Sequence, residues 1–238
     1  MTNTMPIKAK VMIGMVAVAS LCSLTFGVTN WHMPAWPQLA LLMFAAVLTS
    51  RLKVKLPGMT STMSGNLPVI LLGVTQLGLF GSLLVAATAA IAQSFASATK
   101  TKPVQFLFNV CTLMNACALA YATYHNRFLL THGGAAVTMT VAAAAYFLAN
   151  TAPVAGIIGL TEAHNPFAIW HKVFLWSFPN YVIGAGLTAL ASFFSSVAGV
   201  ATLGTLTVVL FGVYKSYQMY VGQSEQSAPK ALAMAASR

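Results

Sequence analysis

Apolar runs of membrane-spanning character alternate with short polar or basic breaks along most of the chain. A helix needs about 20 apolar residues to cross the hydrocarbon core of a bilayer, and most of these runs approach that length. We therefore predict an all-α membrane protein, a polytopic bundle of about seven or eight transmembrane helices. The predicted spans are Val11–Val28, Gln38–Ser50, Leu67–Leu79, Leu83–Ser97, Pro103–Tyr124, Ala135–Leu160, Trp176–Phe194 and Val197–Val213.

Two of these runs, Gln38–Ser50 and Leu67–Leu79, are shorter than a full span unless flanking residues join them. The Leu67–Ser97 region is therefore predicted to be either two spans or a re-entrant pair, since irregular backbone is tolerated at membrane depth only inside protein or around a cavity. Residues 1–220 are expected to form one helical-bundle domain. Residues 221–238, rich in Ser, Ala and Gln, are expected to be a flexible cytoplasmic tail.

The basic residues fall on alternate breaks between the apolar runs. When the spans are threaded from a cytoplasmic N-terminus, eleven of the 12 Lys and Arg residues lie on that side, and only Arg127 lies opposite. Because positive residues are enriched in cytoplasmic loops, both termini are predicted to be cytoplasmic, in a multi-pass protein of the bacterial inner membrane. The net charge of +10 is attributed to this topology and to the anionic leaflet it faces, so no nucleic-acid partner is predicted.

The composition excludes several classes of protein. Only 6% of residues are charged, and Glu162 and Glu225 are the two acids, whereas a soluble domain carries roughly a quarter of charged surface residues. Paired-carboxylate chemistry and Asp-oriented triads are unavailable, so we predict a protein that is not an enzyme. The five His and three Cys have no metal-ligand spacing, so no metal site is predicted, and the sequence names no cofactor.

Candidate binding residues concentrate in one predicted span. Gln105, Asn109, Thr112 and Asn115 are spaced four, three and three apart, which keeps them within about one face of a helix. Polar side chains in lipid need partners, so this face is expected to point into the bundle. Two interpretations stay open: the amides bind neighbouring helices, or they line a cavity that binds a small molecule.

A second pair of candidates belongs to the following span. Tyr146 and Asn150 share a helix face just before Pro153. Proline leaves one carbonyl of its helix without a donor, and Asn150 is expected to satisfy it. Both residues are nevertheless included in the predicted ligand site.

Other segments carry structural expectations. Residues 51–58 alternate polar and apolar side chains and then reach Pro-Gly, which predicts a strand or turn entering the bundle. The hydroxyl-rich residues 59–66 are expected to cap the next helix, with a turn toward the cavity as the alternative. Trp170 is predicted to anchor the chain at the membrane interface, and Gly184 and Gly186 to allow close helix approach.

Several short motifs together resemble a known kind of membrane module. They are Lys53–Gly58 with Ser61 and Ser64, Lys102–Asn109, Trp176–Tyr181 and Tyr214–Tyr217. The chain resembles the integral-membrane sensory input modules found N-terminal to bacterial diguanylate cyclase and HD-type phosphodiesterase domains, over most of residues 36–220. In such proteins the last helix continues into a cytoplasmic output domain. Only residues 221–238 follow here, so the resemblance implies a standalone module that acts on a separate membrane or cytoplasmic partner.

Three functions are compatible with this sequence. The first is a sensory module that binds a small molecule or lipid within its bundle and signals to a partner. The second is a transport component, because a compact bundle with an inner polar face also looks like the substrate-binding subunits of energy-coupling-factor vitamin transporters. The third is an accessory structural subunit of a larger membrane complex.

Overall fold

The computed structural model describes residues 5–31, 36–51, 53–55, 62–96, 102–178 and 181–189. Helices predominate in these ranges, which confirms a helical protein. The principal helices are α1 (Ile7–Thr29), α2 (Trp36–Ser50), α3 (Leu67–Gln76), α4 (Leu79–Phe95), α5 (Pro103–Tyr124), α6 (Arg127–Glu162) and α7 (Pro166–Ile169).

Three of these helices, α1, α5 and α6, are long and apolar enough to cross a membrane. That finding supports a membrane protein. The count of seven or eight spans and the cytoplasmic position of both termini stay predictions. The predicted span Val197–Val213 and the predicted tail lie outside the described residues, as does the end of the predicted span Trp176–Phe194.

The segment between α2 and α3 contains the extended backbone expected there. Strands β1 (Lys53–Lys55) and β2 (Thr62–Ser64) pair antiparallel, with Val54 opposite Met63. Asn66 occupies the position before α3, but its side chain makes no capping hydrogen bond to that helix. Extended backbone is therefore confirmed in this segment, while the predicted capping by the hydroxyl-rich residues 59–66 falls partly on residues 59–61, which lie outside the described residues.

Helices α3 and α4 form a short antiparallel pair. α3 has ten residues, about 15 Å at the helical rise, or half the hydrocarbon core. The chain turns at Leu77 and Gly78, and the Ser82 hydroxyl then donates 2.9 Å back to the Gly73 carbonyl. Most of α3 is buried, as an apolar helix surrounded by neighbours requires. α3 is thus shorter than a complete span, and the choice between two spans and a re-entrant pair stays a prediction.

The turn between α3 and α4 packs against the end of α1 and the start of α2. A β-carbon at Gly27 of α1 would lie 3.2 Å from the Phe80 nitrogen, and the rings of Trp31 and Phe80 are 5.3 Å apart. The Gln38 side chain of α2 donates 2.6 Å to Gln76. α1 therefore ends, and α2 begins, beside the α3–α4 turn.

The opposite end of the bundle carries most of the described basic residues. α5 and α6 are joined by two residues and pack together, so the start of α5 lies beside the end of α6. The Met12 side chain of α1 packs against Gly156 near that end of α6. This end, which we call the basic end, therefore carries exposed Lys8, Lys10, Arg51 and Lys102, while exposed Arg127 lies at the other.

A tight turn connects α6 to the helical segment after it. Ala163 ends α6 in a left-handed conformation with φ of 56°. The Asn165 side chain accepts hydrogen bonds from the backbone N–H groups of Phe167 and Ala168, and Pro166 takes the first helical position, a combination that favours helix initiation. Helical backbone thus restarts at Pro166, ten residues before the predicted span Trp176–Phe194 begins.

The helical segment after this turn is irregular. A π-helical turn follows α7 at Trp170–Phe174, then a 3-10 turn at Leu175–Ser177, and residues 181–189 are helical. In this last stretch Gly184 lies against Leu67, and the Thr188 hydroxyl donates 3.3 Å to the Pro68 carbonyl. The close approach expected at Gly184 is confirmed. A β-carbon at Gly186 would meet nothing within 4 Å.

Candidate functional site

The first candidate residue, Gln105, acts on its own helix. Its side-chain carbonyl accepts a hydrogen bond of 3.2 Å from the backbone N–H of Lys102, which precedes the first residue of α5. This contact pairs one of the backbone donors that a helix start leaves unbonded. Gln105 is exposed, so it caps α5 at the basic end of the bundle.

Asn109 is exposed although it lies on a core-facing side of α5. Leu113, Ala116 and Ala120 follow it at spacings of four, seven and eleven, which place them on the same side of the helix, and all three are buried. Asn109 itself is exposed. The described part of the bundle therefore leaves this side of α5 uncovered near the basic end.

Thr112 is fully buried, and its hydroxyl has no hydrogen-bond partner among the described residues. Every other threonine in the described helices donates to a backbone carbonyl three or four residues earlier. Such bonds are the usual way for a helical hydroxyl to avoid an unpaired buried state. Thr112 keeps both its donor and its acceptor available within the bundle.

Asn115 joins α5 to α1. Its amide nitrogen donates 2.9 Å to the Val16 carbonyl, so the residue does bind a neighbouring helix. Its amide oxygen is buried and has no partner among the described residues. Ser20, one turn along α1, donates to the Met114 sulfur at 3.6 Å. The α1–α5 contact thus contains several polar atoms, one of which is an unused acceptor.

The four candidates on α5 therefore form a polar track of graded burial. It begins with exposed Gln105 and Asn109 near the basic end and continues to Thr112 and Asn115, whose unpaired atoms lie inside the bundle. The track contains amides and one hydroxyl and no ionisable side chain. An arrangement of this kind can bind polar groups by hydrogen bonding, and it contains no nucleophile–base pair for chemistry.

Tyr146 and Asn150 belong to a separate cluster between α6 and residues 181–189. The Asn150 amide nitrogen donates 3.0 Å to the Tyr181 hydroxyl, instead of acting on the carbonyl that Pro153 leaves without a donor. Tyr146 is 2% exposed, and its ring centroid lies 6.1 Å from that of Tyr181. These contacts join two helical segments, and no hydrogen bond links Tyr146 or Asn150 to Thr112 or Asn115 among the described residues.

Two polar residues of this region were missed by sequence reasoning. The Trp170 indole N–H donates 2.9 Å to the Thr151 hydroxyl, which itself donates to the Phe147 carbonyl. Trp170 is half-buried against Phe147, whereas the sequence predicted an interfacial anchor. The Asn-Pro pair at residues 165 and 166 was the available signal, because it starts the helix early enough to bring Trp170 onto α6.

Removing the indole hydrogen bond should loosen this contact. We expect Trp170→Phe to lower the free energy of unfolding by about 1 kcal/mol, the usual net value of one hydrogen bond. The measurement is thermal unfolding of the purified protein in detergent. Phe167→Leu is a suitable control because Phe167 is 70% exposed, and a loss of equal size in both variants would contradict the role given to the hydrogen bond.

Ionisable and thiol side chains do not cluster in the part of the chain that the structure describes. No three His, Cys, Asp or Glu residues come together there as a metal site. Cys111 and Cys117 are buried and Cys22 is exposed, and all three are free thiols. Comparison with protein families, curated proteins and solved structures finds no significant match to this chain.

Proposed function

We propose that this chain is a non-enzymatic membrane module that binds a small molecule or lipid group inside its bundle and signals to a partner. The observation that carries this proposal is the unpaired, fully buried hydroxyl of Thr112, together with the unpaired amide oxygen of Asn115 three residues later on α5. Leaving a buried polar group without a partner costs about 1–3 kcal/mol, and a bound ligand removes that cost. The exposed amide of Asn109 supplies a polar approach from the basic end.

The chemistry of these atoms defines the class of ligand. The Asn115 oxygen only accepts hydrogen bonds, and its amide nitrogen is already committed to Val16. The Thr112 hydroxyl can accept or donate. The site therefore favours a ligand group that donates hydrogen bonds, such as a hydroxyl, amine or amide, over a carboxylate or phosphate.

We place the module in a bacterial inner membrane as a multi-pass protein with its basic end in the cytoplasm. Support comes from the four exposed Lys and Arg residues described at that end, against Arg127 at the other. A sensory role is supported by the resemblance to input modules upstream of cyclic-di-GMP domains. Its proposed output route, the predicted last span and tail, lies outside the described residues.

Thr112→Val tests the ligand site directly. Valine keeps the shape of threonine and removes only the hydroxyl, which makes no hydrogen bond within the described chain. If a ligand uses this hydroxyl, we expect about a three- to tenfold loss of small molecule retained by the purified protein, the worth of one hydrogen bond. The measurement is mass spectrometry of an organic extract of the full-length protein.

The matched control is Thr49→Val, because Thr49 is also buried but donates to the Ala45 carbonyl of its own helix. The control should retain the wild-type content of small molecule. If Thr112→Val retains as much as the control and also unfolds at a higher temperature, the hydroxyl binds no ligand. The polar track would then be a packing feature, and an accessory structural subunit would become the better assignment.

The transport alternative predicts a different outcome of one further assay. A transport component moves its ligand across the bilayer, so vesicles containing the protein should accumulate the retained compound. A sensory module binds the compound without accumulation.

A further inference from the structure

The basic end of the bundle combines exposed cations with exposed apolar side chains. Lys8 and Lys10 at the start of α1, and Lys102 before α5, are all exposed. Next to them along the same helices lie Ile7, Val11, Val104 and Leu107, which are 45–72% exposed. Each helix start therefore presents positive charge beside an exposed apolar surface.

We propose that this end is a docking surface for anionic phospholipids, whose phosphates contact Lys8, Lys10 and Lys102 and whose acyl chains lie along α1 and α5. Charge complementarity favours the anionic headgroup, because the described residues at this end carry one acid, exposed Glu162 at the end of α6, against four exposed Lys and Arg residues. The adjoining apolar side chains favour a lipid over a soluble anion or an acidic protein, since only a lipid supplies both a phosphate and a hydrocarbon chain. Basic side chains at a membrane surface attract anionic lipid with about 1 kcal/mol each.

This inference is independent of the ligand site proposed at Thr112 and Asn115 of α5, which would bind its ligand through neutral groups inside the bundle. It goes beyond topology, because the bias of cationic loops toward the cytoplasm requires no bound lipid. Here, the bound lipid stabilises the assembled helices, so its effect appears in the unfolding temperature by mass action.

The test is thermal unfolding of the full-length protein in neutral detergent with increasing phosphatidylglycerol, phosphatidylcholine or inorganic phosphate. We expect phosphatidylglycerol to raise the unfolding temperature at lower concentration than phosphatidylcholine, and phosphate to have little effect. The triple variant Lys8→Gln, Lys10→Gln, Lys102→Gln should need on the order of a hundredfold more phosphatidylglycerol, since each lysine contributes about fivefold. Raising the salt concentration to screen exposed charges should weaken the effect in the same direction.

Arg127→Gln is the matched control, because it removes one exposed charge at the opposite end. It should leave the phosphatidylglycerol response unchanged, and replacing the three lysines by arginine should preserve it. Equal stabilisation by phosphatidylcholine would overturn the proposal, as would equal stabilisation by phosphate. The proposal would also be overturned if Arg127→Gln weakened the stabilisation by phosphatidylglycerol as much as the single variant Lys10→Gln does. The stabilisation would then depend on net charge alone.

Discussion

Replacing Gly159 by leucine is expected to open the turn between α6 and the helical segment after it. A β-carbon at this position would lie 2.6 Å from the Pro166 γ-carbon and 2.8 Å from the His164 carbonyl oxygen. Both are closer than real contacts allow, and neither a proline ring nor a backbone carbonyl can move aside easily. We expect a loss of about 3 kcal/mol in the free energy of unfolding, the upper part of the overpacking range, measured by thermal unfolding in detergent.

The turn leaves little freedom to absorb that clash. Ala163 is already in the left-handed region, and the His164 N–H is bonded to the Gly159 carbonyl at 3.1 Å. The control is Gly14→Leu, at an open position in α1 where a β-carbon would meet nothing within 4 Å. Equal unfolding temperatures for the two variants would show that the close packing around Gly159 does not limit stability.

The positions of the helices follow largely from the pattern of apolar residues. α5 begins and ends where the sequence predicts, at Pro103 and Tyr124, because proline starts the helix and polar residues at 125 and 126 end it. The predicted span Ala135–Leu160 lies within α6, which breaks at Gly134 with a φ of 69°. A helix that buries its side chains or contacts lipid needs a continuous apolar run. Because such runs can be read from the sequence, the positions of these helices can be predicted.

The hydrogen-bond partner of each polar side chain cannot be predicted from the sequence in the same way. The spacing along α5 places Gln105, Asn109, Thr112 and Asn115 near one face, but it cannot identify what covers each turn. Neighbouring elements decide this, since α1 supplies the carbonyl that Asn115 binds. One face of α5 thus contains a capping side chain, an exposed amide, an unpaired hydroxyl and an interhelix hydrogen bond.

The turn after α6 shows a second limit of hydropathy. Residues 161–175 include two histidines, one lysine and one glutamate, so they resemble a loop by polarity. Local capping chemistry is stronger than this signal, because Asn165 and Pro166 start a helix directly. That early start brings Trp170 onto α6, where it contacts Phe147 and Thr151. The interfacial position of Trp170 stays a prediction, while its contacts with α6 are a feature that hydropathy alone does not show.

Truncating Phe147 to alanine is expected to have the largest effect of any single substitution in the aromatic cluster. The side chain is 2% exposed, and its ring centroid lies 5.9, 5.3 and 4.8 Å from those of Trp170, Phe178 and Tyr181. Removing a buried phenyl group leaves a cavity and costs about 3–5 kcal/mol. We expect the unfolding temperature in detergent to fall accordingly, with residues 166–189 becoming the first part of the chain open to protease.

Phe128→Ala is the matched control for this cluster. It removes the same side chain from α6, but Phe128 is 68% exposed, so truncation there leaves no cavity and should change stability by under about 0.5 kcal/mol. Phe147→Leu should fall between the two, since leucine refills part of the space and loses the ring contacts. If Phe147→Ala unfolds at the same temperature as Phe128→Ala, the contact between α6 and the helical segment after it does not depend on the packing of Phe147. The contact between Trp170 and Thr151 would then have to hold the two segments together.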